Sequence, residues 1–470
     1  MSNKHVHILA ICGYSTSGLA IMAKKLGYFV TGSDEDAYPP NSSIITKNKI
    51  PWHNLHSEKN LGEWGTPDLV VQGNQIREGN VELEAAKKLR IRIISDSEFF
   101  YELTKNRERI AVCGSHGKTT TSALVVWILE KAGRSPGFRL GTIIKNFDTS
   151  VRLGLGKQFV FEGDEYTTTF SDVRPKFFHF HPKVAVINNI EWDHPDVYTT
   201  PAIYNELFKK YLVSKMPKNG LLVVNGEDKN VMTAAKNPPC PIVSFGLTAG
   251  DYRASSLEYF GGATKFKLTC KGKNLGTFTS KLSGVHNIKN SLAAIAVSLE
   301  MGVPLGKIKS ALKTFKGTSR RFELVGKAEG VFIVDDYAHH PTKARETIAA
   351  ARKSYPNSRI FAIFVPHTYS RTKALIADYA KSFLVADYVI IPDIEPARER
   401  HLAKLVHSRD LVAQIGRYQK NVFYIPEQKD VLNFVANRAK SGDVVLCMSV
   451  RGFDGLAKNM VNYLRGHNLR

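Results

Sequence analysis

The segment Arg109–Gly133, RIAVCGSHGKTTTSALVVWILEKAG, decides how the middle of this chain folds. Ile110–Cys113 is too short for a helix and suits a buried strand. Beyond the threonines, Leu124, Val125, Ile128 and Leu129 recur at helical spacing, and Gly133 is a natural stop. The turn between them makes a phosphate loop: strand, Gly-Lys-Thr, helix, in that order. Its glycines let backbone N–H groups converge on an anion, and the helix N-terminus adds partial positive charge. Gly114, Ser115, His116, Gly117, Lys118, Thr119 and Thr120 are therefore the expected nucleotide contacts. Lys118 can reach the outer phosphates and a threonine hydroxyl can hold Mg²⁺. Val112 stands where the usual spelling, G-x-x-x-x-G-K-S/T, has its first glycine.

Working outward, 470 residues with 43% hydrophobic and 23% charged content make an ordinary globular chain of several domains. The N-terminal MSNKHVHILAIC enters a strand pattern without the features of a signal peptide, and no apolar run is long enough for a bilayer. The five cysteines show no metal spacing, and a cytoplasmic setting is expected. The formal charge of +22 raises nucleic-acid binding. The basic residues are dispersed, however, with no finger or recognition signature, which favours steering of small polyanions. The expectation is small-molecule substrates, with no nucleic acid and no membrane as partner.

Three α/β blocks emerge. Residues 1–106 alternate strand and helix as a Rossmann-like domain, residues 107–318 form the central P-loop ATPase domain, and residues 319–470 form a second Rossmann-like domain. In the first block the turn Gly13–Gly18 is G-x-x-x-x-G, not G-x-G-x-x-G, and Asp34 closes the second strand where a ribose-binding acid would sit. Taken alone, that block would suit an NAD enzyme.

Several polar residues stand at strand ends, where open α/β sheets place ligands. FEGDEY carries Glu162, Asp164 and Glu165, hard oxygen donors suited to Mg²⁺. INNIEWDH ends in Asp193 and His194. GVHNIKNSLAAIA supplies His286, Asn287 and Asn290; an asparagine amide can read an adenine edge, and Asn287 can equally cap a helix. Arg320 and Arg321 sit at the junction of blocks two and three, and VDDYAHHP offers Asp335, Asp336, His339 and His340.

In chain order, GSHGKTTT, E-x-D-E at Glu162–Glu165, N-I-E-x-D-H at Asn189–His194, G-x-H-N-x-x-N at Gly284–Asn290, R-R-F-E at Arg320–Glu323 and D-D-Y-x-H-H-P at Asp335–Pro341 resemble the Mur ligases. The resemblance spans essentially the whole chain. It implies a three-domain, ATP-dependent enzyme joining a UDP-muramoyl carboxylate to an amine, active as a monomer or weak dimer. AICGYSTSGLA, GSDEDAYPPNSS, NFDTSVRLG, EGDEYTTTFSDVRPKF and CMSVRGFDG resemble the recycling branch, the murein peptide ligases. These join UDP-N-acetylmuramate to the tripeptide L-alanyl-γ-D-glutamyl-meso-diaminopimelate. VPHTYSRTKAL and DIEPARER resemble instead the ligases that add L-alanine. The expected substrates are accordingly UDP-N-acetylmuramate and the murein tripeptide, with L-alanine as the alternative.

The resemblance also implies roles. The muramoyl carboxylate is phosphorylated by ATP to an acyl phosphate, which the amine then attacks. Each step concentrates negative charge, so cations must be in place beforehand. Lys118 is expected on the γ-phosphate; Thr119 and Glu162 on one Mg²⁺ and His194 on a second; His286 and Asn290 on the adenine side; Arg321 and Asp336 on phosphate and ribose. Ser15, Ser17, Gly18 and Asn74 are expected to face the UDP-sugar. Arg174 is expected on a substrate carboxylate, with Arg371 and Arg400 as further peptide contacts. Gly163 stands where relatives carry alanine, and Val450–Arg451 where the recycling enzymes carry Asn-Gly.

Overall fold

The computed structural model describes residues 4–37, 41–260, 262–397 and 399–466. Tyr38–Pro40, part of one stretch quoted above, lie outside the described residues, as does Arg398.

The first sheet is built from β1 (His5–Leu9), β2 (Phe29–Ser33), β3 (Trp52–His53), β4 (Leu69–Gln72) and β5 (Arg92–Ser95), in the order β3-β2-β1-β4-β5. All four pairings are parallel. Buried parallel strands read as continuous apolar runs, yet β1, HVHIL, carries His5 and His7 fully inside the sheet. Their rings reach Thr31 Oγ1 at 2.8 Å, and His7 also reaches the buried Glu82 carboxylate. Strand order reverses between β1 and β4, so their carboxyl ends open the crevice where such sheets bind ligands.

The second sheet has ten strands: β6 (Glu108–Cys113), β7 (Gly137–Ile144), β8 (Thr149–Arg152), β9 (Gln158–Gly163), β10 (Val184–Ile187), β11 (Leu221–Asn225), β12 (Ile242–Gly246), β13 (Tyr252–Phe260), β14 (Ala263–Cys270) and β15 (Lys273–Ser280). Their order is β15-β14-β13-β12-β11-β10-β6-β9-β7-β8, with β13 to β15 forming an antiparallel extension. The expected hairpin in ATKFKLTCKGKNLGTFTSKL is β14–β15. β6 lies between β9 and β10, parallel to both. The loop that follows it therefore emerges between the end of β9, carrying Glu162, and the end of β10, leading into Asn188. A side chain on Gly163 would collide with Cys113 opposite it, so the glycine matches the cysteine.

The third sheet runs β16-β17-β21-β18-β19-β20, comprising β16 (Glu323–Ala328), β17 (Val331–Asp336), β18 (Ile360–Phe364), β19 (Tyr388–Ile391), β20 (Val422–Tyr424) and β21 (Val444–Met448). Only β16 is antiparallel to its neighbour. The expected three-lobed α/β architecture is the one observed. One apolar core is shared between the first and second sheets, running from Val6 and Leu19 to Phe159, Phe161 and Ala185. The third sheet has separate cores on its two faces.

Candidate functional site

The turn after β6 is shaped by two glycines in backbone conformations that side chains disfavour, Gly114 at φ 118° and Gly117 at φ 79°. Gly117 ends the turn as N-cap of the helix Lys118–Lys131, whose first turn holds no acid. A side chain at Gly117 would overlap the amide of Asn290, so backbone and amide approach as closely as the chain allows. The segment after β10 straps the turn from outside. Asn189 Oδ1 accepts from the His116 amide at 2.8 Å, and Ser115 Oγ donates to the Glu191 carbonyl at 2.6 Å.

Inside the turn, Lys118 Nζ donates to the Gly114 carbonyl at 2.7 Å and to both oxygens of Glu165, at 2.9 and 2.7 Å. Burial pulls the Lys118 pKa down, but the charges of Glu165 and Asp164 outweigh it and the pKa is raised, so the ammonium is firmly charged. Thr119 Oγ1 donates to Glu162 Oε2 at 2.8 Å, while the other Glu162 oxygen accepts from the Gly141 amide at 2.7 Å. His194 Nε2 lies 3.5 Å from Glu165 Oε1. Burial depresses the His194 pKa, yet Asp193 and Glu165 reverse the shift and favour imidazolium. His194 holds φ 57°, an uncommon conformation that concentrates at functional positions.

Of the residues expected on Mg²⁺, the structure thus pairs Thr119 with Glu162 and sets His194 beside Glu165. Glu165, offered by the strand-end motif only as a possible Mg²⁺ donor, instead holds the lysine. It joins lysine to histidine, and only its burial beneath Tyr198, whose hydroxyl donates to its backbone carbonyl at 2.6 Å, marks it out.

The third lobe closes the other side. Arg321 reaches across to Thr119 Oγ1 at 3.2 Å. Its neighbour Arg320 turns away, bonding Asp335 and the carbonyls of Ser449 and Val450. Left-handed backbone at Arg320 (φ 57°) and Phe322 (φ 49°) splays the two guanidinium groups apart. Asp336 accepts from the Phe322 and Ala338 amides at 2.7 and 2.8 Å, so it shapes this junction; burial raises its pKa. His286, Asn290, Thr120, Arg321 and Asp336 line one cleft between the second and third lobes. Burial lowers the His286 pKa to about 4, leaving a neutral ring. Asn290 is engaged with Thr121 and Asn287 beneath the turn rather than held open.

Two contacts between these lobes had no sequence signal. Arg371 is buried against Asp193, with Nη2 2.9 Å from Oδ1, and Nη1 lies 3.1 Å from His367 Nδ1. Burial disfavours the Asp193 charge, but Arg371 and the surrounding histidines overcome this and hold the carboxylate well below its usual range. Glu191 bonds His116 of the turn at 2.9 Å and Thr342 of the third lobe at 2.5 Å. His340 Nδ1, buried without a hydrogen-bond partner, faces Glu191 at 3.9 Å.

At the first sheet, Ser15 and Ser17 lie in the first turn of the helix Tyr14–Lys25 with Gly18 directly after it, and Asn74 follows β4, so all four stand at the reversal of strand order. Asp34 accepts from the backbone amides of Cys12 and Asp36 at 2.8 and 2.9 Å, fixing this loop. Arg174 lies apart from the cleft. Its guanidinium pairs with Asp172 of its own loop, two bonds of 2.8 Å, and stacks on Phe178. Arg400 is exposed.

Family models for the Mur ligase family match all three lobes: the catalytic domain over residues 5–108, the middle domain over 112–298 and the glutamate ligase domain over 320–451. The UDP-N-acetylmuramate–L-alanine ligase of Caldanaerobacter subterraneus subsp. tengcongensis is 39% identical, with 94% of each chain covered. Among solved structures, a UDP-N-acetylmuramate–alanine ligase from Thermotoga maritima superposes with a TM-score of 0.81 at 24% identity, covering 98% of this chain and 99% of that one. A murein peptide ligase from Psychrobacter arcticus gives 0.75 at 30% identity, covering 99% of each.

These likenesses correct the expectation of a tripeptide-joining recycling enzyme. Relatives 39%, 34% and 35% identical over 94–95% of the chain are all named for L-alanine. The chain belongs to the Mur ligase family of ATP-dependent, C–N bond-forming ligases.

Proposed function

We propose that this protein joins UDP-N-acetylmuramate to L-alanine at the expense of ATP. Likeness over 94% of the chain to a ligase named for L-alanine carries the choice of amine, and the ATP step rests on the paired arrangement at the phosphate loop: Thr119 on Glu162, and Lys118 and His194 on Glu165. It sits opposite a buried arginine and neutral histidines of the third lobe.

In this reading the backbone of Gly114–Thr120 receives the triphosphate and Lys118 the γ-phosphate. It leaves Glu165 to do so or bridges both. Thr119 and Glu162, two hard oxygens 2.8 Å apart, form a donor set that fits one Mg²⁺, and His194, once neutral, would hold a second beside Glu165. Bound there, magnesium would neutralise charge on the phosphoryl group in transfer. Arg321, already on Thr119, adds a cation from the third lobe. His286 and Asn290 are assigned to the adenine side and Asp336 to the ribose. Ser15, Ser17, Gly18 and Asn74 hold the UDP-sugar at the first sheet's crevice, so the muramoyl carboxylate extends toward the second lobe. Arg174, paired with Asp172, is left with a role only if a substrate carboxylate displaces that partner.

For the amine, Arg371 with His367 and His339 makes a compact polar site suited to one amino acid. Burial lowers the His367 pKa to about 3 and holds His339 well below its ordinary value, so neither ring adds charge there. Arg451 supports the smaller amine as well. It pairs with Glu395 at 2.9 Å and reaches Asp36 of the first lobe at 3.7 Å, tying down the rim where recycling enzymes carry glycine. Closure of the third lobe would keep water from the acyl phosphate. ATP and a UDP-sugar as co-substrates support a cytoplasmic setting.

The test is phosphate release with UDP-N-acetylmuramate, ATP and either L-alanine or the tripeptide, with products weighed by mass spectrometry. Alanine should give the amide at the greater rate. No alanyl product would sink the proposal.

A further inference from the structure

We propose that Arg139, a β7 residue to which the sequence gives no role, is a direct contact for the diphosphate of the sugar nucleotide. This rests on the reading above, that the first lobe holds a UDP-sugar. Arg139 belongs to the second lobe but its side chain leaves that lobe. Nη1 donates to Ser15 Oγ at 2.6 Å and to the Ser15 carbonyl at 3.2 Å. The stem lies against Gly18, where any side chain would press on Arg139 Cγ at 3.3 Å. The guanidinium is 4.4 Å above the Phe100 ring. Its Nε is buried with no hydrogen-bond partner.

A guanidinium taken out of water is costly unless an anion meets it. Arg139 as a whole is half-buried, its Nε fully so. The fully buried cation at this junction has its anion: Lys176 Nζ sits 2.6 Å from Asp96 Oδ2. Among the described residues, no carboxylate is hydrogen-bonded to Arg139; Asp96, Asp164 and Glu162 act on it only through space. The guanidinium faces the first turn of the helix Tyr14–Lys25, which has no acidic residue and no side chain capping its amides. Free helix N–H groups and an unpaired guanidinium converging on one loop are complementary to a dianionic phosphate group. The position also fits the route of the substrate. Arg139 pairs with Phe161 in the sheet register, one residue before Glu162, so it stands between the loop for the nucleotide and the acid beside the phosphate loop.

The test is calorimetric binding of UDP, UDP-N-acetylmuramate and a non-hydrolysable ATP analogue to the wild-type protein, Arg139→Met and Arg139→Lys. Methionine keeps apolar bulk over Phe100; lysine keeps the charge without the fork. Arg139→Met should weaken UDP and UDP-N-acetylmuramate alike, roughly ten- to a hundredfold, as expected for a lost charged hydrogen bond. Arg139→Lys should lie between, and the ATP analogue should bind all three proteins equally. Unchanged UDP binding by Arg139→Met overturns the proposal, as does a loss confined to UDP-N-acetylmuramate, which would move the contact to the sugar acid. Equal weakening of the ATP analogue would mean a structural role only. Failure of the wild-type protein to bind either uridine nucleotide would instead overturn the underlying reading of the first lobe.

Discussion

The two junctions between lobes are built from opposite materials. Between the first and second lobes, Phe100 meets Phe159, Phe161 and Phe180 edge to face at 4.8 to 5.6 Å, within a core common to both sheets. Between the second and third, the contacts are Asp193 with Arg371, Glu191 with His116 and Thr342, and Arg321 with Thr119. Each has exceptions: Trp192 packs on the edge of a third-lobe core at the second, and Lys176–Asp96 and Arg139–Ser15 are polar bonds across the first. An apolar junction separates only by exposing surface to water, which is expensive. A polar one exchanges its partners for water or substrate at little net cost. In the proposed reading the first junction fixes where the sugar acid is presented, and the second opens to admit nucleotide and amine, then closes.

Lys118→Ala strikes at the point between the two junctions and should have the largest effect. Phosphoryl transfer should fall by roughly a thousandfold, as for loss of one preorganised charge at a reacting phosphate. UDP-sugar binding should be unchanged by calorimetry, because that site belongs to the other junction; equal loss of both would erase the distinction. Phe100→Ala should lower stability by about 3–5 kcal/mol, measured by denaturant unfolding, and should uncouple the first two lobes into separate transitions. A single unchanged transition would show that their shared core does not weld them.

Arg371→Met should cost about 3 kcal/mol by leaving Asp193 charged and unpartnered. Arg371→Met combined with Asp193→Asn should recover most of that stability but not activity.

Acid should discriminate the junctions more gently. His340, His339 and His367 face the second junction with pKa values lowered chiefly by burial, about 4 for His340. A lowered histidine pKa means that the fold prefers the neutral ring. Its contribution is complete above about pH 6.5 and is lost as pH falls toward the folded value. His194, raised, works in the opposite sense. Glu191, lowered to about 2 by His116 and His340 against its burial, loses its contribution only below the ordinary glutamate range. Between pH 6.5 and 4.5 the histidines should prevail. Small-angle scattering should then show the third lobe swinging away while the first two stay together. The smallest effect is expected from Thr342→Val, about 1 kcal/mol for one hydrogen bond across the second junction, visible as a modest rise in KM for ATP.

Much of the scaffold was legible because its signals are local. The strand, glycine turn and helix around Lys118 are contiguous, as are the apolar runs of β10, β11 and β17. The L-alanine reading was present too, in VPHTYSRTKAL and DIEPARER, but the short motifs were weighed toward the tripeptide, which whole-chain likeness to alanine-named ligases overturns. The site was only partly legible. Glu162 was placed beside Thr119 in expectation and in the structure, whereas Glu165, three residues on, took the lysine. Asp34 stood at the spacing of a ribose acid and instead fastens the Cys12 amide. Arg174 was matched to a substrate acid and found Asp172, two residues away. A charged side chain takes the nearest opposite charge the backbone offers, and spacing along the chain does not reveal which that is.

By itself the sequence determined that a phosphate loop sits at the end of a buried strand, flanked by two further α/β lobes. Each of those elements is encoded within some twenty-five neighbouring residues, where backbone preference and apolar periodicity act directly. Only the tertiary structure decided what faces the loop. Glu162 and Glu165 lie 43 and 47 positions from their partners there, and Arg321 lies 202 positions away. Their meeting depends on β6 lying between β9 and β10 and on how the third lobe docks. Sheet order and domain packing are settled by the burial of the whole apolar core, which no local stretch records.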